Sequence, residues 1–309
     1  MQRASTKQED LPTLIVLVGP TGVGKTALSI RLAEEYFGCS ILSADSRQIF
    51  REIPIGTAAP SDEERAAVPH YFVGTRSVTE PYSAATFESE VLELLPQVFA
   101  ESSSSTALLS GGSMMYVDAV TKGIDSMPDV PEDVRSAVWE RYAAEGLDGI
   151  LAELRLLDPV YYKAVDPKNY KRVLHGYEVC LATGRPFSSF HTGRQKARPF
   201  RIVKVGLTRD REELYERIDK RVELMIKAGM VEEAQRVYPL RSLNALNTVG
   251  YKELFSYFDG DIDFAEAVRL IQRNSRHYAR KQLSWWRRDP EIRWFHPDAW
   301  EEIIAYIHQ

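Results

Sequence analysis

Leu14-Ile15-Val16-Leu17-Val18-Gly19-Pro20-Thr21-Gly22-Val23-Gly24-Lys25-Thr26 is the stretch from which the rest of the chain is read. Five consecutive apolar, mostly β-prone residues predict a buried strand, and the helix-favouring residues 27–36 predict a helix after it. Between them, Gly19 to Thr26 fits G-x-x-x-x-G-K-[ST], the pattern of a phosphate-cradling loop. Glycines at 19, 22 and 24 reach backbone angles closed to other residues, so successive N–H groups can converge on one anion. The unpaired N–H groups of the helix's first turn add partial positive charge there. Lys25 can then reach phosphate oxygens, and the Thr26 hydroxyl can ligate Mg²⁺ or a phosphate. The competing reading is a chance glycine–lysine turn, which seldom falls between a strand and a helix.

The chain has 309 residues, a length that suits about two domains or one large domain with an insertion. Its 44% hydrophobic and 27% charged content is ordinary for a globular protein. Two cysteines, Cys39 and Cys180, exclude a disulfide framework or a four-cysteine zinc site within the chain and fit a reducing compartment. Residues 1–10 are polar without an apolar signal core, and no 18-residue apolar run occurs, so the expectation is a cytoplasmic protein without a membrane partner. The net charge of −5 weighs slightly against a nucleic-acid partner, although a whole-chain sum hides local patches.

Residues 39–44 form a second apolar segment ending in Asp45-Ser46-Arg47-Gln48, which places polar groups at a strand's carboxyl end, where open α/β sheets bind ligands. Helical spacing over 83–99 predicts a crossover helix, and 106–110 a further strand ending in Gly111-Gly112-Ser113. From about residue 125 the pattern changes to proline-bounded amphipathic helices at 131–145, 147–157, 159–165 and 169–183. A strand at 201–207, helices at 210–228, 231–238, 250–258 and 264–286, and a short strand at 292–295 complete the reading. The expected fold class is therefore α/β. A P-loop-type parallel sheet core flanked by helices is divided into 1–124 and 199–309, with a helical insertion domain at 125–198.

The 264–286 helix carries Arg269, Arg273, Arg276, Arg280 and Lys281, and no acidic residue lies between Arg269 and Arg288. Their spacing puts most of the arginines near one face. A solvated, salt-bridged face is the ordinary meaning of such a run. Interleaved His277, Tyr278, Trp285 and Trp286, together with Lys163, Lys168, Lys171 and Arg172 in the insertion, favour an RNA or polyphosphate surface. Asp45 has two readings of equal weight, a general base or water-mediated Mg²⁺ ligand beside the phosphate loop, and a cap for the residues after it. The 106–110 strand ends in Ser-Gly-Gly, without the carboxylate that nucleoside triphosphate hydrolysis usually requires.

Taken together, these segments resemble the tRNA dimethylallyltransferases, or tRNA isopentenyltransferases, of bacterial type. The matching segments are Gly19 to Thr26, Asp45-Ser-Arg-Gln-Ile-Phe50 with Ile55-Gly-Thr57, Pro69-His70, and Tyr82-Ser-Ala-Ala-Thr-Phe87. Gly111-Gly-Ser-Met-Met-Tyr116, Arg217-Ile-Asp-Lys-Arg-Val222 with Met225 and Gly229, Val249-Gly-Tyr-Lys-Glu253, and Ser275-Arg-His-Tyr-Ala-Arg-Lys-Gln282 with Trp285 follow in family order. Phe50 stands where a Tyr is usual, Tyr71 where a second His is common, and Ser113 where Thr is common. Met114-Met115 replaces a small or apolar pair and can reshape an isoprenoid pocket.

The resemblance implies transfer of the dimethylallyl group of dimethylallyl diphosphate to the exocyclic N6 of the tRNA adenosine just 3′ of the anticodon. The phosphate loop would hold the leaving diphosphate, with Lys25, Thr26 and Mg²⁺ spreading its charge and either Arg217 or Arg221 completing the clamp. Asp45 would accept the N6 proton. Asp45, Ser46, Arg47, Gln48, Ser113, Arg135, Lys168, Lys171, Arg172, Gly250, Tyr251 and Lys252 would lie along the RNA path. Arg276, Arg280 and Lys281 of the basic stripe would grip phosphates of the anticodon stem-loop. A monomer is expected. Two rival readings are a P-loop small-molecule or nucleoside kinase, marked by ATP turnover, and a nucleotide-gated RNA-binding module without chemistry.

Overall fold

The computed structural model describes residues 11–193 and 195–309; the polar segment 1–10 lies outside the described residues. In chain order the elements are β1 (Thr13–Val18), α1 (Lys25–Arg31), β2 (Ile41–Ser43), α2 (Asp62–Ala67), β3 (His70–Tyr71), α3 (Ala84–Glu101), β4 (Thr106–Ser110) and α4 (Met114–Lys122). Then come α5 (Glu132–Glu145), α6 (Asp148–Leu157), α7 (Pro159–Ala164), α8 (Tyr170–Thr183), β5 (Arg201–Leu207), α9 (Arg211–Lys227) and α10 (Met230–Val237). The remainder is α11 (Tyr251–Phe258), α12 (Phe264–Trp286), β6 (Arg293–Phe295) and α13 (Trp300–Ile307).

The strands form one six-stranded sheet in the order β3-β2-β4-β1-β5-β6, and every pairing is parallel. Helices cover both faces of such a sheet, which is why β1 is an unbroken apolar run instead of an alternating one. Alternation still decides where each side chain goes. Leu14, Val16 and Val18 enter one core cluster, while Ile15 and Leu17 enter the other.

Residues up to Thr121 together with Ala197–Gln309 form one compact unit, and Lys122–Lys196 forms a second. Within the second, α5 to α8 enclose a core of Val138, Ile150, Leu154, Val173, Leu174 and Tyr177. No helix among the described residues is long and apolar enough to cross a membrane.

Three helices fall where the sequence reading assigns nothing. The Ser61/Glu64 capping box starts α2, and α4 and α13 pack apolar faces on the two sheet clusters. The helix expected over 27–36 changes character part-way. After α1 a π-helical segment, Leu32–Phe37, turns Leu32, Ala33 and Phe37 into the core.

Candidate active site

Parallel pairing brings the carboxyl ends of β1, β2 and β4 to one edge of the sheet, so the phosphate loop, Asp45 and Gly111-Gly112-Ser113 become neighbours. The loop's shape depends on Gly22, whose φ is +80° and where a Cβ would lie 2.9 Å from the Ile218 side chain. Gly24 begins α1 with no side-chain cap, so the first-turn N–H groups remain for an anion. Two loop N–H groups are spent elsewhere: Val23 on the Pro20 carbonyl at 3.3 Å and Thr21 on Gln282 Oε1 at 2.8 Å. Lys25 Nζ donates to the carbonyls of Gly19 at 2.7 Å and Pro20 at 2.9 Å. Burial, and then the Arg221 charge, lower its pKa to about 7 against the opposing pull of Asp45.

Asp45 divides its two oxygens. Oδ1 accepts from the N–H groups of Arg47 at 2.9 Å and Gln48 at 3.4 Å, so the capping reading holds for that atom. Oδ2 has no hydrogen bond among the described residues and faces Gly112, where a Cβ would lie 3.8 Å away. The Asp45 charge opposes the burial-driven lowering of Lys25, Arg221 and Arg47, and after burial it helps raise Tyr278 and Tyr116, both to about 12. The carboxylate thus sits amid three cations and two phenols. Ser113 Oγ accepts from the Ser46 N–H at 2.8 Å and fixes the start of the same turn.

The two candidate clamp arginines differ in placement. Arg217 is exposed, and its Nε donates to the Gly22 carbonyl at 2.9 Å. Arg221, one turn on, bonds the Thr21 hydroxyl and reaches the Thr57 carbonyl at 3.5 Å. Its charge acts on Lys25 and is itself acted on by Asp45, and burial lowers its pKa.

Gln282 ends one of the segments that carry the resemblance, but the sequence assigns it no role. It is 1% exposed, and while Oε1 holds Thr21, Nε2 donates to the Gly112 carbonyl at 2.8 Å. Its place one helical turn after Tyr278, on the same side of the helix, is the only local signal.

Several expected RNA contacts need correction. Tyr251 is 0% exposed, with its hydroxyl donating to Glu233, and Gly250 is buried where a Cβ would meet the Met230 side chain at 2.3 Å. Neither can touch RNA, whereas Lys252 beside them is exposed. Arg276 is committed to Asp219 on α9, and Arg269 to Glu266 on its own helix. Arg280 and Lys281 remain exposed, with no ion pair among the described residues. Gln48 is occupied in bracing: its amide donates to the Thr57 and Ala58 carbonyls at 3.3 and 3.0 Å and accepts from Ser43.

In the second unit Arg135, Lys168, Lys171 and Arg172 are exposed, with Arg135 paired to Glu132 at 3.4 Å. Tyr170, next to Lys171, stacks on Tyr142 at 5.4 Å, with Trp139 edge-on to both. The exposed rings of Trp139 and Tyr170, with Lys171 beside them in sequence, suit unpaired bases.

No cluster of three or more metal-ligating side chains occurs among the described residues. The exposed Thr26 hydroxyl at the start of α1 fits Mg²⁺ nonetheless, because this ion takes few protein ligands and completes its shell with phosphate oxygens and water.

Residues 48–289 match the family model described as IPP transferase. The chain is 67% identical over 287 residues to tRNA dimethylallyltransferase 2 of Porphyromonas gingivalis, covering 93% of this chain and 95% of that protein. It is 45% identical over 295 residues to the tRNA dimethylallyltransferase of Christiangramia forsetii, covering 95% and 97%. The crystal structure of the tRNA isopentenylpyrophosphate transferase from Bacillus halodurans is similar at a TM-score of 0.68 and 32% identity, covering 96% of this chain and 94% of that one. A eukaryotic dimethylallyltransferase solved acting on tRNA shares the fold, with a TM-score of 0.78 at 23% identity over 96% of this chain and 77% of that one.

Proposed function

Because the chain belongs to the IPP transferase family, the tRNA dimethylallyltransferases, we propose that it transfers the dimethylallyl group of dimethylallyl diphosphate to N6 of the tRNA adenosine 3′-adjacent to the anticodon. The observation that carries this reading is the placement of Asp45, which has one carboxylate oxygen unengaged and lies within electrostatic reach of the half-buried pair Lys25 and Arg221. A base and a cationic leaving-group site therefore adjoin one another.

In the reaction the N6 nitrogen bonds to C1 of the isoprenoid as the C1–O bond to diphosphate breaks. N6 is a weak nucleophile because its lone pair is delocalised into the ring, so loss of its proton to Asp45 Oδ2 as the bond forms lowers the barrier. Charge accumulating on the diphosphate meets the first-turn N–H groups of α1, Lys25 and Arg221. Thr26 would hold Mg²⁺, which when bound supplies further positive charge to the leaving group. Water is not a reactant, so the absence of a hydrolytic carboxylate at the end of β4 is consistent with this chemistry. The adenine must leave its stack to reach Asp45. Arg280 and Lys281 in the first unit, and separately Lys168, Lys171 and Arg172 in the second, are exposed cations that suit stem-loop phosphates.

The test is to follow diphosphate release with a synthetic anticodon stem-loop and dimethylallyl diphosphate, omitting ATP. One diphosphate released for each stem-loop consumed supports the reading. Release that requires ATP, or that proceeds unchanged without RNA, contradicts it.

A further inference from the structure

Glu233 on α10 is 0% exposed, yet both of its oxygens are fully used. Oε2 accepts from the Ile55 N–H at 2.8 Å, and Oε1 from the Gly56 N–H at 2.7 Å and from the Tyr251 hydroxyl. A buried carboxylate is costly unless hydrogen-bonded, and here its donors come from an irregular loop, 53–58, and from the first residue of α11.

That loop holds the site's working groups. The Thr57 carbonyl accepts from Arg221 at 3.5 Å and from Gln48 at 3.3 Å, and the Ala58 carbonyl accepts from Gln48 at 3.0 Å. Gln48 belongs to the turn that Asp45 caps. Close approach at the anchor is also enforced sterically, since a Cβ on Gly56 would lie 2.4 Å from the Tyr251 hydroxyl oxygen. One carboxylate outside the reaction centre is thereby bonded to a loop whose carbonyls meet both Arg221 and, through Gln48, the Asp45 turn.

We infer that Glu233 is a positioning residue for the transferase site, holding loop 53–58 so that Arg221 faces the diphosphate and the Asp45 turn faces the reacting amine. The inference rests on the site assignment proposed above. Glu233→Gln keeps the side chain's shape but leaves one oxygen acceptor and turns an NH₂ donor toward a backbone N–H, so the loop loses one of its two main-chain anchors. Gly56→Ala pushes the loop off the same anchor while leaving the buried carboxylate in place.

The experiment is calorimetric binding of inorganic diphosphate with Mg²⁺ to the full-length protein, well below its melting temperature, alongside stem-loop binding. Wild type binds diphosphate. Both variants lose at least about tenfold in that affinity, while their stem-loop affinity changes by less than about threefold. Combining Glu233→Gln with Arg221→Lys costs little beyond Arg221→Lys alone, because the two act through one group.

Diphosphate affinity within about twofold of wild type in both variants, or fully additive losses in the double variant, overturns the inference while leaving the site assignment intact. Failure of wild type itself to bind diphosphate removes the site assignment and the inference together. Should Glu233→Gln not fold, Gly56→Ala alone decides.

Discussion

Gln282 accepts a hydrogen bond at 2.8 Å from the N–H of Thr21, a residue 261 positions earlier, and so ties the C-terminal half of the basic helix to the phosphate loop. Its amide nitrogen simultaneously holds the Gly112 carbonyl, which fixes the loop after β1 against the loop after β4. Gln282→Leu would leave the part-buried Thr21 N–H without its partner at a cost of about 1–3 kcal/mol, while the Gly112 carbonyl keeps the Tyr278 hydroxyl at 3.3 Å. The expected outcome is a loss of stability of that order in denaturant unfolding, with kcat/KM for dimethylallyl diphosphate falling about tenfold or more. Unchanged kcat/KM would confine Gln282 to a stabilising role.

Asp45 Oδ1 caps the turn while Oδ2 is the proposed base, and one substitution separates the two roles. Asp45→Asn retains an oxygen to accept from Arg47 and Gln48, so the turn persists, but it abolishes the base. Turnover should fall by about 10²-fold or more, with stem-loop affinity held within a few-fold. Near-normal turnover in this variant would return Asp45 to capping alone.

Lys25 gives the diphosphate site a pH dependence. Burial and Arg221 bring its pKa down to about 7, and a bound polyanion raises it. Below about pH 7 the group is already charged, so binding needs no proton; above it, binding must take one up, and affinity falls by up to about tenfold per pH unit until the bound-state pKa is reached. Titrating inorganic diphosphate against wild type and Lys25→Met cancels the ligand's own ionisation. The ratio of their affinities should shrink as the pH rises from 7 to 9; a flat ratio would contradict a lysine that titrates in this range.

Arg221 and Arg217 are one helical turn apart but not equivalent. Arg221 acts electrostatically on Lys25, and Arg217 props the Gly22 carbonyl from the exposed side. Arg221→Ala should lower kcat/KM for dimethylallyl diphosphate by about 10²-fold, and Arg217→Ala by less than about tenfold. Steady-state kinetics that reverse this order would move the clamp to Arg217.

Arg280 and Lys281 of the basic helix are exposed and have no ion pair among the described residues, whereas Arg276 is held by Asp219. Replacing either of the two exposed cations with Gln should weaken stem-loop binding and reduce the slope of log affinity against log salt by about one each. A slope that does not change on removing both would place the RNA elsewhere.

The β1–loop–α1 unit was legible because three independent signals coincide there: an apolar run, glycines at a tight turn, and a helix start with Lys25-Thr26. The insertion helices were equally legible, with prolines and caps such as Asp158 and Asn169 marking their starts. What remained hidden depends on distance along the chain. No local pattern says that Gln282 reaches Thr21, that Glu233 reaches Ile55 and Gly56, or that Asp219 neutralises Arg276. Tyr251 misled for the same reason: the motif containing it is readable, but its enclosure beneath loop 53–58 is a tertiary fact. The capping of the turn by Asp45 Oδ1, with Oδ2 left without a hydrogen bond among the described residues, likewise has no signature in the local sequence.

On the proposed assignment the phosphate loop receives a leaving diphosphate. The most direct test is mass-spectrometric nucleoside analysis of an unmodified anticodon stem-loop incubated with the protein, Mg²⁺ and dimethylallyl diphosphate, with and without ATP. The account predicts a dimethylallyl mass gain on the single adenosine 3′-adjacent to the anticodon, indifferent to ATP. No gain accompanied by ATP consumption would contradict it and make the loop a kinase site.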